Sequence, residues 1–330
     1  MLCYFIRLRH FNRGPLWKRI IFMNCPRFVK PINVSFTKIP VGIKVPSTLS
    51  FSILTLIGLE KIYNAEDELI LTIKHCVLFI QRGEYDKAEK LLHVALKQAQ
   101  LMQHQSGITY VYDVMANLAL QMEQLDKAKK LFVAVAQRVM GSGASEDDPR
   151  VVHINLKLAR VCHLQKDYIT AQLGYDWCLE KLNAQVDPSN DYKMLIAMAE
   201  DWYGRLFVEC NKCEQGYKYM LSAYNRMRDF KDMEVAHIVV QLNDLGTVCE
   251  KMDNLDDSIK YISEAIELGK TQPDMEDLGI MYVNLGRAYM KKQLLTMARK
   301  NCGHALRLGI LNKNSELKKE AELCMQEINS

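Results

Sequence analysis

The sequence predicts an all-α fold in which pairs of antiparallel helices repeat along the chain. Apolar residues recur with helical spacing in residues 108–122 and again in residues 125–139, on either side of a short polar turn. The same pattern returns in six copies, spaced 40 to 45 residues apart. One helix pair of this length cannot bury its own apolar faces, so each copy needs neighbours of the same kind.

Four rows of residues define the repeat. A small residue on the first helix forms the first row: Cys76, Ala116, Ala159, Gly204, Gly246 and Gly286. Twelve positions later a second small residue lies on the second helix: Ala88, Ala128, Ala171, Gly216, Ser258 and Ala298. A larger apolar residue follows: Leu92, Phe132, Tyr175, Met220, Ile262 and Cys302. Another compact residue ends the pattern: Ala95, Val135, Cys178, Ala223, Ala265 and Ala305. This agreement is the signature of tetratricopeptide repeats, and the small rows would let the paired helices approach closely.

We therefore predict one elongated solenoid of about six repeats over residues 65–330, closed by a capping helix at 314–329 whose outer face is polar. The predicted helix pairs are 68–81 with 85–101, 108–122 with 125–139, 151–165 with 168–182, 194–209 with 214–228, 235–251 with 255–269, and 277–292 with 294–308. Residues 140–150 are predicted as the most loop-like part of the repeats. Each proline of the repeat region is predicted to lie between repeats: Pro149, Pro188 and Pro273.

Residues 1–59 differ from the rest in charge. They contain nine Lys or Arg residues and no acidic residue, whereas the remainder has 34 basic and 39 acidic residues. A basic, acid-free, amphipathic start is typical of a mitochondrial transit peptide, which we predict over residues 1–45. The alternative is a basic tail that binds nucleic acid or anionic lipid. The mildly acidic remainder argues against nucleic-acid binding as the main activity.

An uncharged stretch ends this leader, and we consider residues 46–64, which contain most of that stretch, a possible membrane anchor. The fifteen residues from Val45 to Leu59 lack charge. As a helix they would span about 22 Å, against about 30 Å of bilayer hydrocarbon. A helix packed at the head of the solenoid is the equally open alternative.

No catalytic, metal or cofactor motif stands out, and we predict that the protein is not an enzyme. Cys210 and Cys213 form a lone C-x-x-C, which could bind zinc or act in redox chemistry. We favour these residues, with Cys162 and Cys249, as small apolar residues of the packing rows. A Cys–His catalytic pair of Cys162 and His163 is disfavoured because adjacent helical side chains point about 100° apart.

The predicted functional surface is the groove lined by the first helices of the repeats, which suits an extended protein segment. The position after the first small row is mostly polar: Val77, Asn117, Arg160, Arg205, Thr247 and Arg287. Its Asn and Arg side chains could donate hydrogen bonds to a peptide backbone or to carboxylates. We predict a partner-binding groove made of Tyr110, Asp113, Asn117, Lys157, Arg160, Arg205, Asn243 and Arg287. A solvated face without a ligand is the alternative.

Several runs of residues resemble the mitochondrial tetratricopeptide repeat protein 19 family: 83–89, 92–96, 108–119 and 174–179. The resemblance covers repeats one to three well and the later repeats by pattern only. It implies a protein at the mitochondrial inner membrane that serves respiratory complex III, the cytochrome bc1 complex of electron transport. The implied partners are complex III subunits, including the Rieske protein and its processing fragments. A soluble cytosolic scaffold similar to kinesin light chains is the alternative, and the acid-free leader favours the mitochondrial interpretation.

Overall fold

The computed structural model describes residues 64–185, 189–230, 233–272, 275 and 277–329. Within these residues the chain forms thirteen α-helices and no β-strand, which confirms the all-α prediction. The predicted transit peptide, 1–45, and the apolar segment, 46–64, lie outside the described residues except for Asn64. No helix in the described part of the chain combines the length and the apolar character needed to cross a bilayer.

The described helices divide into two compact units, with the boundary between Arg138 and Val139. The first unit contains α1 (Ala65–Gln81), α2 (Tyr85–Leu101), α3 (Gln105–Gln121) and most of α4 (Leu125–Gly141). The second unit contains the end of α4 and α5 (Pro149–Leu164), α6 (Tyr168–Asn183), α7 (Asn190–Glu209), α8 (Cys213–Arg228), α9 (Val235–Lys251), α10 (Leu255–Gly269), α11 (Leu278–Lys291), α12 (Leu295–Leu311) and α13 (Ser315–Asn329). A single continuous solenoid over residues 65–330 stays a prediction.

The helix boundaries follow the repeat pattern closely. Helices α2, α9 and α10 begin and end at the predicted residues, and the others differ by a few residues. Pro149 was expected in a loop, but it is the first residue of α5. The Asp148 side chain caps this helix by accepting a hydrogen bond of 2.8 Å from the Arg150 backbone N–H. Proline fits there because the first residue of a helix has no intrahelical partner for an N–H group.

Burial confirms the four repeat rows, since every one of their residues is buried. In the first unit, Leu92 and Ala95 of α2 belong to one apolar core with Ile108 and Val111 of α3. In the second unit, one core extends from Met220 of α8 through the rows of the later repeats to Ile328 of α13. The row residues are therefore the interior of each unit.

The small rows allow a close approach of paired helices, most clearly between α7 and α8. A Cβ added to Gly216 would lie 2.7 Å from the backbone oxygen of Gly204 and 2.5 Å from Val208 Cγ2. A Cβ added to Gly204 would lie 2.9 Å from the backbone oxygen of Gly216. Neither position has room for a side chain unless the two helices move apart.

The turns within repeats share a residue in the left-handed conformation. Gly83 has a φ of 75°, and the equivalent residues of the next two turns, Glu123 and Lys166, have φ of 58° and 64°. The backbone N–H of the following residue donates back into the helix, as Gln124 does to the Ala119 oxygen at 2.9 Å. This backbone pattern closes the helix and fixes the hairpin even where the residue is not glycine.

Candidate functional site: polar residues of the first helices

The predicted groove residues all lie on first helices of repeats. Three of them are in the first unit, on α3: Tyr110, Asp113 and Asn117. The other five are in the second unit, on α5, α7, α9 and α11: Lys157, Arg160, Arg205, Asn243 and Arg287.

In the first unit, Asn117 is 1% exposed and is held by its own helix. Its Nδ2 donates to the backbone oxygen of Asp113 at 2.7 Å and to Asp113 Oδ2 at 3.1 Å. Tyr110, about two turns before Asn117, is half-buried. These contacts fix the orientation of the Asn117 amide, because turning it over would face oxygen against oxygen.

Arg205 lies between two carboxylates in the second unit. Its Nε donates to Asp201 of the same helix, at 3.0 Å to Oδ2, and its Nη2 donates to Asp244 Oδ2 of α9. The side chain is only 10% exposed and the two carboxylates are 3% and 2% exposed. Burial lowers the pKa of Arg205, but Asp201 and Asp244 outweigh this effect and hold it above its ordinary value. The cluster therefore contains a permanent cation between two carboxyl groups.

Arg287 also pairs with two carboxylates, and both lie on the capping helix, α13. Its Nη2 lies 3.1 Å from Glu320 Oε2 and its Nε lies 3.2 Å from Glu327 Oε2, both on α13. The guanidinium is 6% exposed, whereas the Glu327 side chain is 42% exposed. Its remaining nitrogen, Nη1, has no hydrogen-bond partner among the described residues. Arg287 thus joins α11 to α13 and keeps one donor unused.

Asn243 links α9 to α11. It also belongs to the Arg205 cluster, which consists of Arg205, Asp201, Asp244 and Asn243. Its Oδ1 accepts a hydrogen bond of 3.0 Å from Asn284 Nδ2, and its own Nδ2 lies 3.4 Å from Asp244 Oδ1. Lys291 of α11 adds a second link, because its Nζ lies 3.1 Å from Glu250 Oε1 of α9. Neighbouring first helices are therefore joined by polar contacts at each step from α7 to α13.

Arg160 and Lys157 form the basic part of α5, and both are buried, at 8% and 2% exposure. Arg160 Nη1 lies 2.9 Å from His163 Nδ1, and its guanidinium carbon lies 5.9 Å from the centre of the Trp202 ring. His163 Nε2 lies 3.1 Å from Glu209 Oε2 of α7. Burial, with Arg160 close by, lowers the pKa of His163, so a neutral ring accepts at Nδ1 and carries its proton at Nε2.

The carboxylates that hold Arg205 and Arg287 are the residues that sequence reasoning missed. Asp244 follows Arg205 by 39 residues, and Glu327 follows Arg287 by 40 residues. Asp244 and Glu327 each lie about one repeat after a groove arginine, and this spacing is the signal in the sequence that could have indicated the ion pairs. It went unused because an acidic residue on a helix is usually exposed to solvent.

The four cysteines considered above, Cys162, Cys210, Cys213 and Cys249, are free thiols among the described residues. Among the described residues, no group of three or more His, Cys, Asp or Glu side chains could hold a metal ion. Cys162 and Cys249 are buried, as predicted for packing residues, and Cys210 and Cys213 are half-buried free thiols. Burial raises the pKa of Cys210, which keeps it protonated and weakly nucleophilic.

Asp244 should make the stability of the protein depend on pH. Burial raises its pKa to about 7, although Arg205 and Asn243 oppose the shift. The folded protein then holds a proton that the unfolded chain releases near its ordinary pKa of about 3.9. The free energy of unfolding of the native chain should therefore fall, relative to that of Asp244→Asn, as the pH rises from about 4 to about 7. Urea denaturation across this range measures the difference, and parallel pH curves for the two chains would contradict the assignment.

No family model matches the chain. Known proteins from several animals are similar to the chain over most of its length. The chain is 34% identical over 272 residues to tetratricopeptide repeat protein 19 homolog, mitochondrial, of Drosophila melanogaster, covering 82% of this chain and 74% of the relative. It is 27% identical over 277 residues to tetratricopeptide repeat protein 19, mitochondrial, of Homo sapiens, covering 80% of this chain and 71% of the relative.

Solved structures show that the fold is that of tetratricopeptide repeats. A signal transduction ATPase from Pyrococcus horikoshii that carries a tetratricopeptide repeat sensor superposes with a TM-score of 0.60. The match has 14% sequence identity and covers 82% of this chain and 38% of that protein. At this identity the likeness concerns the fold alone.

Proposed function

Because the chain belongs to the mitochondrial tetratricopeptide repeat protein 19 family, we propose that it is a non-catalytic adaptor that supports respiratory complex III. In this proposal it acts at the mitochondrial inner membrane, in the assembly and maintenance of the cytochrome bc1 complex. Its partner is the Rieske subunit or the fragments left from processing that subunit. The observation that carries the proposal is the similarity to the fly relative, which extends across both compact units.

The leader supports the mitochondrial part of this proposal. Nine basic residues and no acidic residue in residues 1–59 suit import, and the uncharged residues 45–59 at the end of this segment suit contact with a membrane. A cytosolic scaffold has no use for such a leader. Residues 46–64 would then hold the repeats at the membrane surface, near the subunits they serve.

The basic part of α5 is the best candidate for contact with acidic groups of the partner. Arg160 lies beside the Trp202 ring and Lys157 is about one turn earlier on the same helix, a combination that suits a carboxylate and an apolar side chain of one peptide. Arg205 and Arg287 already bind carboxylates of their own chain. For these two arginines, a partner's carboxylate would have to replace an internal one, and half-exposed Glu327 is the most replaceable.

The remaining groove residues contribute hydrogen-bonding groups rather than charge pairs. Tyr110, Asp113 and Asn117 do so on α3, and Asn243 does so on α9. An extended segment exposes a backbone N–H and C=O at each residue, and such side chains can bind these groups without regard to sequence. In this proposal the cations on α5 select acidic segments, and within the same unit the Asn243 amide forms hydrogen bonds with the backbone of the bound segment.

Affinity capture from mitochondria tests the proposed partner. A tagged full chain should retain cytochrome bc1 subunits, including the Rieske protein, and Lys157→Gln with Arg160→Gln should retain about tenfold less, because two charge-assisted hydrogen bonds are lost. Lys270→Gln is the matched control, since Lys270 is an exposed lysine paired with exposed Glu267. A second control lacks residues 1–60 and should not reach mitochondria.

Two results would refute the proposal. Capture of the native chain without bc1 subunits would remove complex III as the partner. A native chain found throughout the cytosol would favour the scaffold similar to kinesin light chains. Unchanged capture by the Lys157 and Arg160 variant would leave the adaptor role intact but would exclude α5 as the contact surface.

A further inference from the structure

A disulfide joins Cys302 of α12 to Cys324 of α13, 22 residues apart in sequence. The two Cα atoms are 6.0 Å apart, a separation that a disulfide bridges without movement of the backbone. Both residues are fully buried. The other described cysteines are free thiols: Cys76, Cys162, Cys178, Cys210, Cys213 and Cys249. Cys302 and Cys324 therefore differ from the other buried cysteines because they are bonded to each other, not because they are more deeply buried.

Helix α13 is held by one buried apolar face and by the ion pairs that two of its glutamates form with Arg287. Four residues of one face are buried: Leu317, Ala321, Cys324 and Ile328. Near its start Leu317 packs tightly on Gly279 of α11, where an added Cβ would lie 2.2 Å from Leu317 Cδ2. A covalent bond at Cys324, between Leu317 and Ile328, would hold the middle of the helix even when its ends open.

The geometry points to Cys302 and Cys324 as a site of reversible thiol oxidation that fastens the capping helix to the last repeat. With the bond formed, α13 stays docked and its glutamates hold Arg287. With the bond reduced, α13 opens more often, and Arg287 becomes available to acidic groups of another molecule. The disulfide and its effect on α13 do not depend on the function proposed above. The binding of a partner by Arg287 does rest on that function.

The chemistry balances with a disulfide-bearing oxidant. The two thiols lose two protons and two electrons as the S–S bond forms. The oxidant, a protein disulfide or glutathione disulfide, takes up both electrons and both protons as its own S–S bond breaks into two thiols. Because both sulfur atoms are buried, exchange in either direction requires α13 to open first, which makes the bond slow to form and slow to break.

Opening α13 would change the chemical character of the α11 face. Arg287 would lose Glu320 and Glu327, its two carboxylate partners in the described structure. Its Nη1 already has no hydrogen-bond partner among the described residues, so all its donor groups would then face solvent. A guanidinium in that state binds carboxylates in a bidentate manner. The reduced form would therefore bind acidic segments more strongly at the last repeat than the oxidised form.

Peptide mapping and hydrogen exchange on the purified full chain test the site. Tryptic digestion without reductant should yield residues 301–307 linked to residues 320–330, and dithiothreitol should separate them. The same reductant should accelerate amide exchange in α13 by about 100-fold, since it removes the restraint of a closed loop of this length. Exchange in α9 should stay unchanged and serves as the internal reference.

Variants separate the effect of the bond from that of the reductant. Cys324→Ala and Cys302→Ala should each exchange rapidly in α13 with or without dithiothreitol. Cys178→Ala removes a buried free thiol of α6 and should keep the full response to dithiothreitol. Absence of the linked peptide from the unreduced chain would overturn the inference, and so would a linked chain whose α13 exchange ignores the reductant. Neither result depends on complex III, so either failure is distinguishable from failure of the proposed partner.

Discussion

Replacing Arg205 with Met should lower the free energy of unfolding by about 4 kcal/mol, because it leaves two buried carboxylates without their cation. Asp201 and Asp244 are 3% and 2% exposed, so water cannot replace the guanidinium. The loss should be greatest near pH 8 and smaller near pH 5, because the raised pKa of Asp244 lets this carboxyl group accept a proton at the lower pH. Urea denaturation followed by far-ultraviolet circular dichroism measures both values.

Two further variants show whether charge is the cause. Lys270→Met removes a cation from an exposed pair with Glu267 and should change stability by no more than about 0.5 kcal/mol. Adding Asp244→Asn to Arg205→Met removes one unpaired carboxylate and should restore part of the loss. If Arg205→Met is as stable as the native chain, the Arg205 cluster does not hold α7 and α9 together.

Gly216→Ala should destabilise the protein by about 2 kcal/mol, although alanine is the better helix former. The new Cβ would lie 2.7 Å from the backbone oxygen of Gly204, so α7 and α8 would have to separate. Thermal unfolding of the two chains measures the difference. The effect should be confined to the second unit, because Gly204 and Gly216 both belong to it.

Gly303→Ala is the matched control for this prediction. Gly303 also lies inside a helix, α12, but an added Cβ there has no atom within 4 Å. The replacement should therefore stabilise the protein by up to about 1 kcal/mol through helix propensity alone. Equal effects of the two replacements, in either direction, would show that the close approach of α7 and α8 does not constrain position 216.

The repeat rows were predictable because every repeat needs buried residues of the same size class at the same spacing. Six copies of a small residue twelve positions before another small residue leave few alternatives to a packed helix hairpin. The left-handed turn residues were not predictable in the same way. Glu123 and Lys166 adopt positive φ because the two helices that flank them fix the turn, and neither residue type indicates that conformation.

The candidate site was predictable by position but not by chemistry. The sequence places Arg205 and Arg287 on the groove row, and spacing alone says nothing about what they bind. The structure supplies their carboxylates from the following first helix and from the capping helix. Cys302 and Cys324 were hidden for a similar reason, since each fits an apolar row and the pairing of cysteines cannot be deduced from sequence.

The inter-helix ion pairs also limit how this protein can be shortened or recombined by whole copies. A chain that ended after residue 311 would keep Arg287 but lose Glu320 and Glu327. Its final copy would then present an uncompensated guanidinium and an uncovered Gly279. Whole repeats can therefore be removed only if the new last repeat is followed by a helix with matching acidic residues, which a simple deletion does not provide.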